Sequence, residues 1–362
     1  MCARAQTEGL TTTKTEVTVA NDGMSLELGG WLPSVTVAVE TWGVAGCPVV
    51  LVCHALTGDA HVARQHEGDR PGWWDDLVGP GRPLDPGRLH IVATNVLGGS
   101  AGTTGPDPGN PVAVFPAITV GDMVQVERLA LDYLGIDRVA LVIGGSLGGM
   151  RALEWLATFP ECVGAVAGIG VSSGLSAMAL GINHVQITTL EWALAHSPEA
   201  ARAALGWARM AAMLTYRSEG HLNARFGRST CPNGESAVGS YLDHQAEKLR
   251  SRFHPASYYR LAEAMGRWQM DVGRAAGATA RVRLLGLAND WLFPPDEVRD
   301  TARRLAAAGV AAEYEELGNS VGHDAFLMPG SVGLHAWVTK VVEEAVGRPA
   351  EVANAAAEAL CN

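Results

Sequence analysis

Residues 144–148, Gly-Gly-Ser-Leu-Gly, set a serine among glycines after the apolar run 138–143 and before a helix-like segment. This is the G-x-S-x-G pattern of a nucleophile elbow, a tight strand-to-helix turn that lifts the serine hydroxyl out at the carboxyl edge of a sheet. The neighbours must be small because the turn leaves no room for side chains, and the serine backbone is strained. The helix N-terminus that follows favours the negative charge that develops during acyl transfer. Taken alone, the five residues are also an ordinary glycine-rich turn. The strand before them and the helix after them favour the elbow.

A serine hydroxyl is a weak nucleophile until a base takes its proton and an acid orients the base. On elbow-bearing sheets these partners follow the serine in the order Asp or Glu, then His. Asp290 in "GLANDWLFPP" follows one predicted strand, and His323 in "NSVGHDAFLM" follows the next. Ser146, Asp290 and His323 are therefore the candidate triad. An acyl intermediate also needs two amide donors for its oxyanion. The N–H of Leu147 is one, and the N–H of Leu56 in the loop "CHALTGDAH" is the other. His54, Asp59 and His61 in that loop raise the question of a metal site. Their spacing is a weak pattern and the triad needs no metal, so they read better as structural residues.

Runs 48–55, 89–96, 138–144 and 164–172 suit buried parallel strands, while 120–136 and 149–161 have helical character. From about 174 to 273 only helix-like runs occur. The alternation then resumes with 280–290, 296–308, 312–317 and 334–346, and the alanine-rich 350–362 reads as a short or frayed helix. The pattern predicts an α/β fold with a mostly parallel sheet covered by helices on both faces. Residues 1–173 and 274–362 would form the core, and 174–273 a helical lid.

The chain has 362 residues, enough for one large domain carrying an insertion. A net charge of −11 without any Lys/Arg block argues against nucleic acid and against an anionic membrane as partners. The six cysteines (Cys2, Cys47, Cys53, Cys162, Cys231, Cys361) lack CxxC spacing and read as reduced packing residues. No apolar leader or membrane-spanning run is visible, so a cytoplasmic globular protein is expected.

The stretches "LVCHALTGDAHVA", "PGWWDDLVGPGRPLD", "VATNVLGGSAGTTGP", "FPAITVGDMV", "GGSLGGMRALEW", "ARFGR" and "GHDAF" resemble, in order, the signatures of the homoserine O-acetyltransferase family. That family has the α/β-hydrolase fold and includes relatives that acylate serine or deacetylcephalosporin C. The similarity runs from about residue 11 to 346. It implies ping-pong acyl transfer from acetyl-CoA through Ser146, with no bound cofactor. His323 would act as base and then acid, oriented by Asp290, with Leu56 and Leu147 holding the oxyanion. The resemblance also implies a lid-lined tunnel, a homodimer, and contact of Asp324 with the amino group of a small hydroxyl acceptor.

The acceptor side departs from the family. Ile187 in "NHVQI" stands where the family carries an arginine for the homoserine carboxylate, and an aliphatic chain has no substitute for a guanidinium. The lid is shorter between 187 and 205, and no acidic residue flanks Gly266. These departures favour a hydroxyl acceptor other than homoserine, with homoserine or serine as the alternative. Arg202 and Arg209 are less favoured stand-ins for the missing cation. A second alternative is an esterase or thioesterase on the same triad, because water competes for any acyl-serine. A catalytically dead binding protein is disfavoured by the complete triad.

Overall fold

Eight strands form one sheet in the order β1-β4-β6-β5-β7-β8-β9-β10, seen in a computed structural model that describes residues 11–106, 115–318 and 320–347. The six strands β5 (Val49–Cys53), β6 (His90–Thr94), β7 (Leu141–Gly145), β8 (Ala165–Ile169), β9 (Arg281–Leu287) and β10 (Ala311–Leu317) are parallel. β1 (Thr11–Ala20) and β4 (Val35–Gly43) add an antiparallel edge. β2 (Met24–Ser25) and β3 (Trp31–Leu32) form a separate small ribbon. The central strands coincide with the apolar runs expected as strands. β1 and β4 were not expected: β1 is a polar, threonine-rich edge strand, and a search for buried apolar runs passes over such a segment.

Successive residues of a strand point to opposite faces, so each parallel strand feeds two cores. Leu51, Val92, Val142 and Val282 pack with α1 (Val120–Tyr133), α2 (Leu147–Thr158) and α8 (Pro295–Ala307). Val50, Ile91, Ile143 and Leu285 pack with α9 (Val332–Val346) and with Trp74, Leu77 and Leu84 of the long β5–β6 connection. Both faces are thereby covered, as a parallel sheet requires.

Between β8 and β9 lie five helices: α3 (Ala177–Leu194), α4 (Pro198–Tyr216), α5 (Glu219–Arg225), α6 (Ala237–Arg250) and α7 (Pro255–Arg267). Serine starts four of them. Ser176, Ser197, Ser218 and Ser236 each accept a backbone N–H from the first turn of their helix. Proline opens α4 and α7, where its missing N–H costs nothing.

Among the described residues Cys53, Cys162 and Cys231 are free thiols, but Cys47 is disulfide-bonded. The expectation of six reduced cysteines is corrected at that position, because spacing along the chain does not measure distance in space. The alanine-rich 350–362 lies outside the described residues.

Candidate active site

Parallel strands release their following loops at a single sheet edge, and the chemically capable residues all lie there. Leu56 follows β5, Ser146 follows β7, Asp290 follows β9 and His323 follows β10. The last two lie two hundred and more residues from the first, yet share its edge because all four strands run the same way.

Ser146 has φ 56° and ψ −124°, a left-handed conformation that side chains avoid. Its N–H donates to the Ile169 carbonyl (3.0 Å), which holds the turn against the end of β8. Two glycines make the turn feasible. A Cβ on Gly148 would stand 2.1 Å from the Cys53 carbonyl oxygen, and one on Gly144 would stand 2.5 Å from the Gly148 carbonyl. Backbone meets backbone at both points, so no side chain can be accommodated.

His323 and Asp290 are brought together. Nδ1–H of His323 donates to Asp290 Oδ2 (2.7 Å), while Asp290 Oδ1 accepts from the N–H groups of Leu292 (2.8 Å) and Phe293 (3.0 Å). Both carboxylate oxygens are occupied, which fixes the tautomer and leaves the other ring nitrogen, Nε2, free to act as a base. Nε2 is buried and makes no hydrogen bond among the described residues. The bond to serine is thus not formed, and such contacts commonly tighten only with substrate bound. Gly170, next after the residue that holds Ser146, packs against both partners: its Cβ would lie 3.2 Å from Asp290 Oδ2 and 3.4 Å from His323 Cε1. Phe293, Phe326 and Tyr216 surround the imidazole at ring-centre distances of 5.5, 5.6 and 5.6 Å. Ser146, Asp290 and His323 are 4%, 4% and 2% exposed, so bulk water is largely kept away. Burial lowers the basicity of His323, but Asp290, joined by Asp324, outweighs it, and the imidazole titrates above the usual histidine range.

The loop bearing Leu56 is held from behind. His54 donates through Nδ1 to the Ala55 carbonyl (2.7 Å) and accepts the Val96 N–H at Nε2 (3.0 Å). Burial, reinforced by Arg151, lowers its pKa to about 3, so the ring stays neutral. The His54 carbonyl accepts from Arg151 Nη1 (3.1 Å), and Arg151 is locked in a buried ion pair with Glu127. His61 binds Glu40 Oε2 (2.8 Å) and the Arg70 carbonyl (2.8 Å). Both imidazoles are therefore committed within the protein. Among the described residues no cluster of three or more His, Cys, Asp or Glu is placed to hold a metal.

The residues singled out for the acceptor are more dispersed. Asp324, beside His323, forms an ion pair with Arg217 at 3.0 Å. Ile187 is half-buried on α3 and packs against the core. Arg202 is exposed on α4, whereas Arg209 stacks on Tyr216 (5.4 Å to the ring centre). Sequence reasoning missed Arg217. It ends α4 as its C-cap, and the N–H and hydroxyl of the next residue, Ser218, donate to the carbonyls of Val321 (2.6 Å) and Ser320 (2.5 Å). Those contacts bring the end of α4 up to His323. The only trace in the sequence was an arginine at a helix end just before a serine cap.

A family model for the alpha/beta hydrolase fold matches residues 48–327. A homoserine O-acetyltransferase of Symbiobacterium thermophilum is 40% identical over 349 residues, which are 86% of this chain and 90% of that protein. A bifunctional methionine biosynthesis protein MetXA/MetW of Rhodopirellula baltica is 35% identical over 347 residues; the match takes in 87% of this chain but 56% of that longer protein. Among solved structures, a homoserine O-acetyltransferase from Staphylococcus aureus aligns with a TM-score of 0.76 at 25% identity, covering 92% and 95% of the two chains. Esterase E22 shares the fold, with a TM-score of 0.80 at 20% identity over 92% and 100%. With an elbow serine at the sheet edge, and with sequence likeness over most of its length, the chain belongs to the homoserine O-acetyltransferase family of the α/β-hydrolase fold.

Proposed function

We propose that the protein transfers an acetyl group from acetyl-CoA to the hydroxyl of a homoserine-like amino acid through an acyl-Ser146 intermediate, using no bound cofactor. The observation that carries this reading is the imidazole of His323. Its Nδ1 is fixed on Asp290, and its Nε2 lies unpartnered at the edge that presents the strained serine. In the first half-reaction Nε2 takes the Ser146 proton as Oγ attacks the thioester carbonyl. The N–H groups of Leu56 and Leu147 hold the oxyanion. Collapse breaks the carbon–sulfur bond, and His323 returns the proton to the departing thiolate. In the second half-reaction Nε2 deprotonates the acceptor hydroxyl, which attacks the acyl-serine, and the proton goes back to Ser146.

Charge complementarity supports an amino-acid acceptor. Arg217 and Asp324 present a guanidinium and a carboxylate side by side next to His323, a match for the carboxylate and ammonium of one α-amino acid. The apolar Ile187 supports a second reading, in which the acceptor lacks a free carboxylate. We place the five helices of residues 174–273 as a lid over the site and the remaining segments as the catalytic core. The reaction draws on acyl-CoA, which fits a cytoplasmic enzyme. A homodimer is also proposed: the outer face of α3 leaves Met178, Val185 and Trp192 more than half exposed.

Intact-mass analysis tests the first half-reaction. Acetyl-CoA should add one acetyl group to the protein, and Ser146→Ala should abolish the gain. The second half is tested with homoserine, serine, and homoserine blocked at its amine or its carboxylate. Transfer to free homoserine and loss with either blocked form support the Arg217–Asp324 assignment. Efficient use of the carboxylate-blocked form would favour the Ile187 reading. Steady release of acetate, with no acceptor faster than water, would make the protein a hydrolase.

A further inference from the structure

A cavity of about 730 Å³ lies outside the triad between residues 99–106 and 250–254. Its walls are tied to each other: the His254 N–H donates to Ser100 Oγ (3.0 Å), and Ser257 Oγ donates to the Gly99 carbonyl (3.3 Å). It also adjoins the oxyanion loop, because Arg252 on its rim donates through Nη1 to the Thr57 carbonyl (2.7 Å), one residue from Leu56. A cavity of this size is adequate for a large part of a cofactor-sized ligand.

Its charges point to an anion. Arg250 and Arg252 both line it, and Glu16 is the one acidic group among its described lining residues. Their carboxylate neighbours are weakly placed or already engaged. Glu247 is 3.4 Å from Arg250 and mostly exposed, and Asp59 near Arg252 is bridged to Arg70 at 2.7 Å. The Nε of Arg250 is buried against Gly206 of α4 and has no hydrogen bond among the described residues. Asn95 lies below the floor, its amide about 3.0 Å from where a Gly99 Cβ would stand, and it too is buried without a partner among the described residues. Desolvation first, and then the like charges of Arg209 and Arg70 against the opposing Asp59, hold Arg252 below the ordinary arginine range. Arg209, whose charge acts on Arg252, stacks on Tyr216, and the Tyr216 ring faces His323. The basic groups of the cavity stand in a chain whose net charge is −11. Against that overall field, only a local basic site can capture a polyanion.

We propose that this cavity receives the phosphate-bearing end of the acyl-CoA donor, with Arg250 and Arg252 as its phosphate ligands and Arg209 beside the route of the thioester arm to Ser146. The inference rests on the reading of the protein as an acyl-CoA-dependent transferase. Guanidinium forks pair with phosphate oxygens through two parallel hydrogen bonds, and lysine replaces that geometry only as a point charge.

The test compares two donors in the acylation half-reaction: acetyl-CoA, and S-acetyl-N-acetylcysteamine, which keeps the thioester but has no phosphate. Single-turnover kcat/KM is measured for both with the unmodified protein, Arg250→Ala, Arg252→Ala and the two lysine variants. The ratio of acetyl-CoA to the truncated donor is the readout, because any disturbance of folding or of the oxyanion loop acts on both donors and cancels. We expect each alanine variant to lower the ratio roughly 10- to 100-fold, the scale of one or two charge-assisted hydrogen bonds. The lysine variants should lower it less, and added salt should slow the unmodified protein with acetyl-CoA only. A ratio unchanged in both alanine variants overturns the proposal and places the phosphates elsewhere. Equal losses with the two donors also overturn it, since the arginines would then act through packing. If neither donor acylates Ser146 in the unmodified protein, the transferase reading itself fails.

Discussion

At the residue scale the chemistry depends on which groups face His323. Asp290 orients and charges the ring, Asp324 adds a second negative charge, and Arg217 is drawn toward Asp324 rather than toward the imidazole. Acylation requires neutral His323, because only the neutral ring can take the serine proton. Its raised pKa therefore sets the acid limb of the acylation rate above the usual histidine value of about 6.5. Asp324→Asn removes one charge that favours the imidazolium, so the limb should move to lower pH. Rapid-quench acylation by acetyl-CoA across pH measures this without involving the acceptor. An unmoved limb would mean that the Asp324 charge, neutralised by Arg217, is not felt by the ring. The proposed triad positions Ser146, Asp290 and His323 could be named from the sequence because each follows a strand-like run. Arg217 was not, because its place next to Asp324 depends on how the end of α4 docks on the loop before His323.

At the scale of elements, the elbow and the oxyanion loop are held by contacts that tolerate little change. Gly148→Ala would push a methyl group onto the Cys53 carbonyl, a backbone atom that cannot turn aside. We expect a loss of about 2 kcal/mol or more in denaturant unfolding, together with a large fall in acylation. Glu127→Gln would leave Arg151 buried with its charge uncompensated. Glu127 also accepts from Trp155 Nε1, so two contacts weaken together. A destabilisation of about 3–5 kcal/mol is expected in the same measurement. Because Arg151 also holds the His54 carbonyl, acylation of the surviving folded protein should slow as well. A Glu127→Gln protein of unchanged stability would show that water or a shifted side chain compensates the guanidinium. The central strands and the helices α1, α2, α8 and α9 were legible from apolar periodicity. β1 and β4 were not, since an edge strand with one wet face carries half the apolar signal, and its pairing partner is supplied from elsewhere in the chain.

At the scale of the whole molecule, the five helices between β8 and β9 carry exposed apolar side chains. On α3, Trp192 and Val185 are 57% and 59% exposed. Replacing both with glutamate should convert a dimer to a monomer in sedimentation velocity at micromolar concentration. Circular dichroism should remain unchanged, because neither side chain is part of the core. A protein that sediments as a monomer before substitution would remove the basis for the proposed dimer. No helix among the described residues is long and apolar enough to cross a membrane.

The amino-acid sequence by itself determined the elbow, the order of its partners and the alternation that makes a parallel sheet, because these depend on spacing and periodicity along the chain. It also carried the family signatures that link the protein to homoserine O-acetyltransferases. The tertiary structure decided what depends on distance between remote segments. It paired Arg217 with Asp324, left Ile187 in packing, bound the two loop histidines to internal partners and set Arg250 and Arg252 on the wall of one cavity. A charge is recruited to a site by the docking of whole helices, and nothing in its immediate sequence neighbours records where that helix will lie.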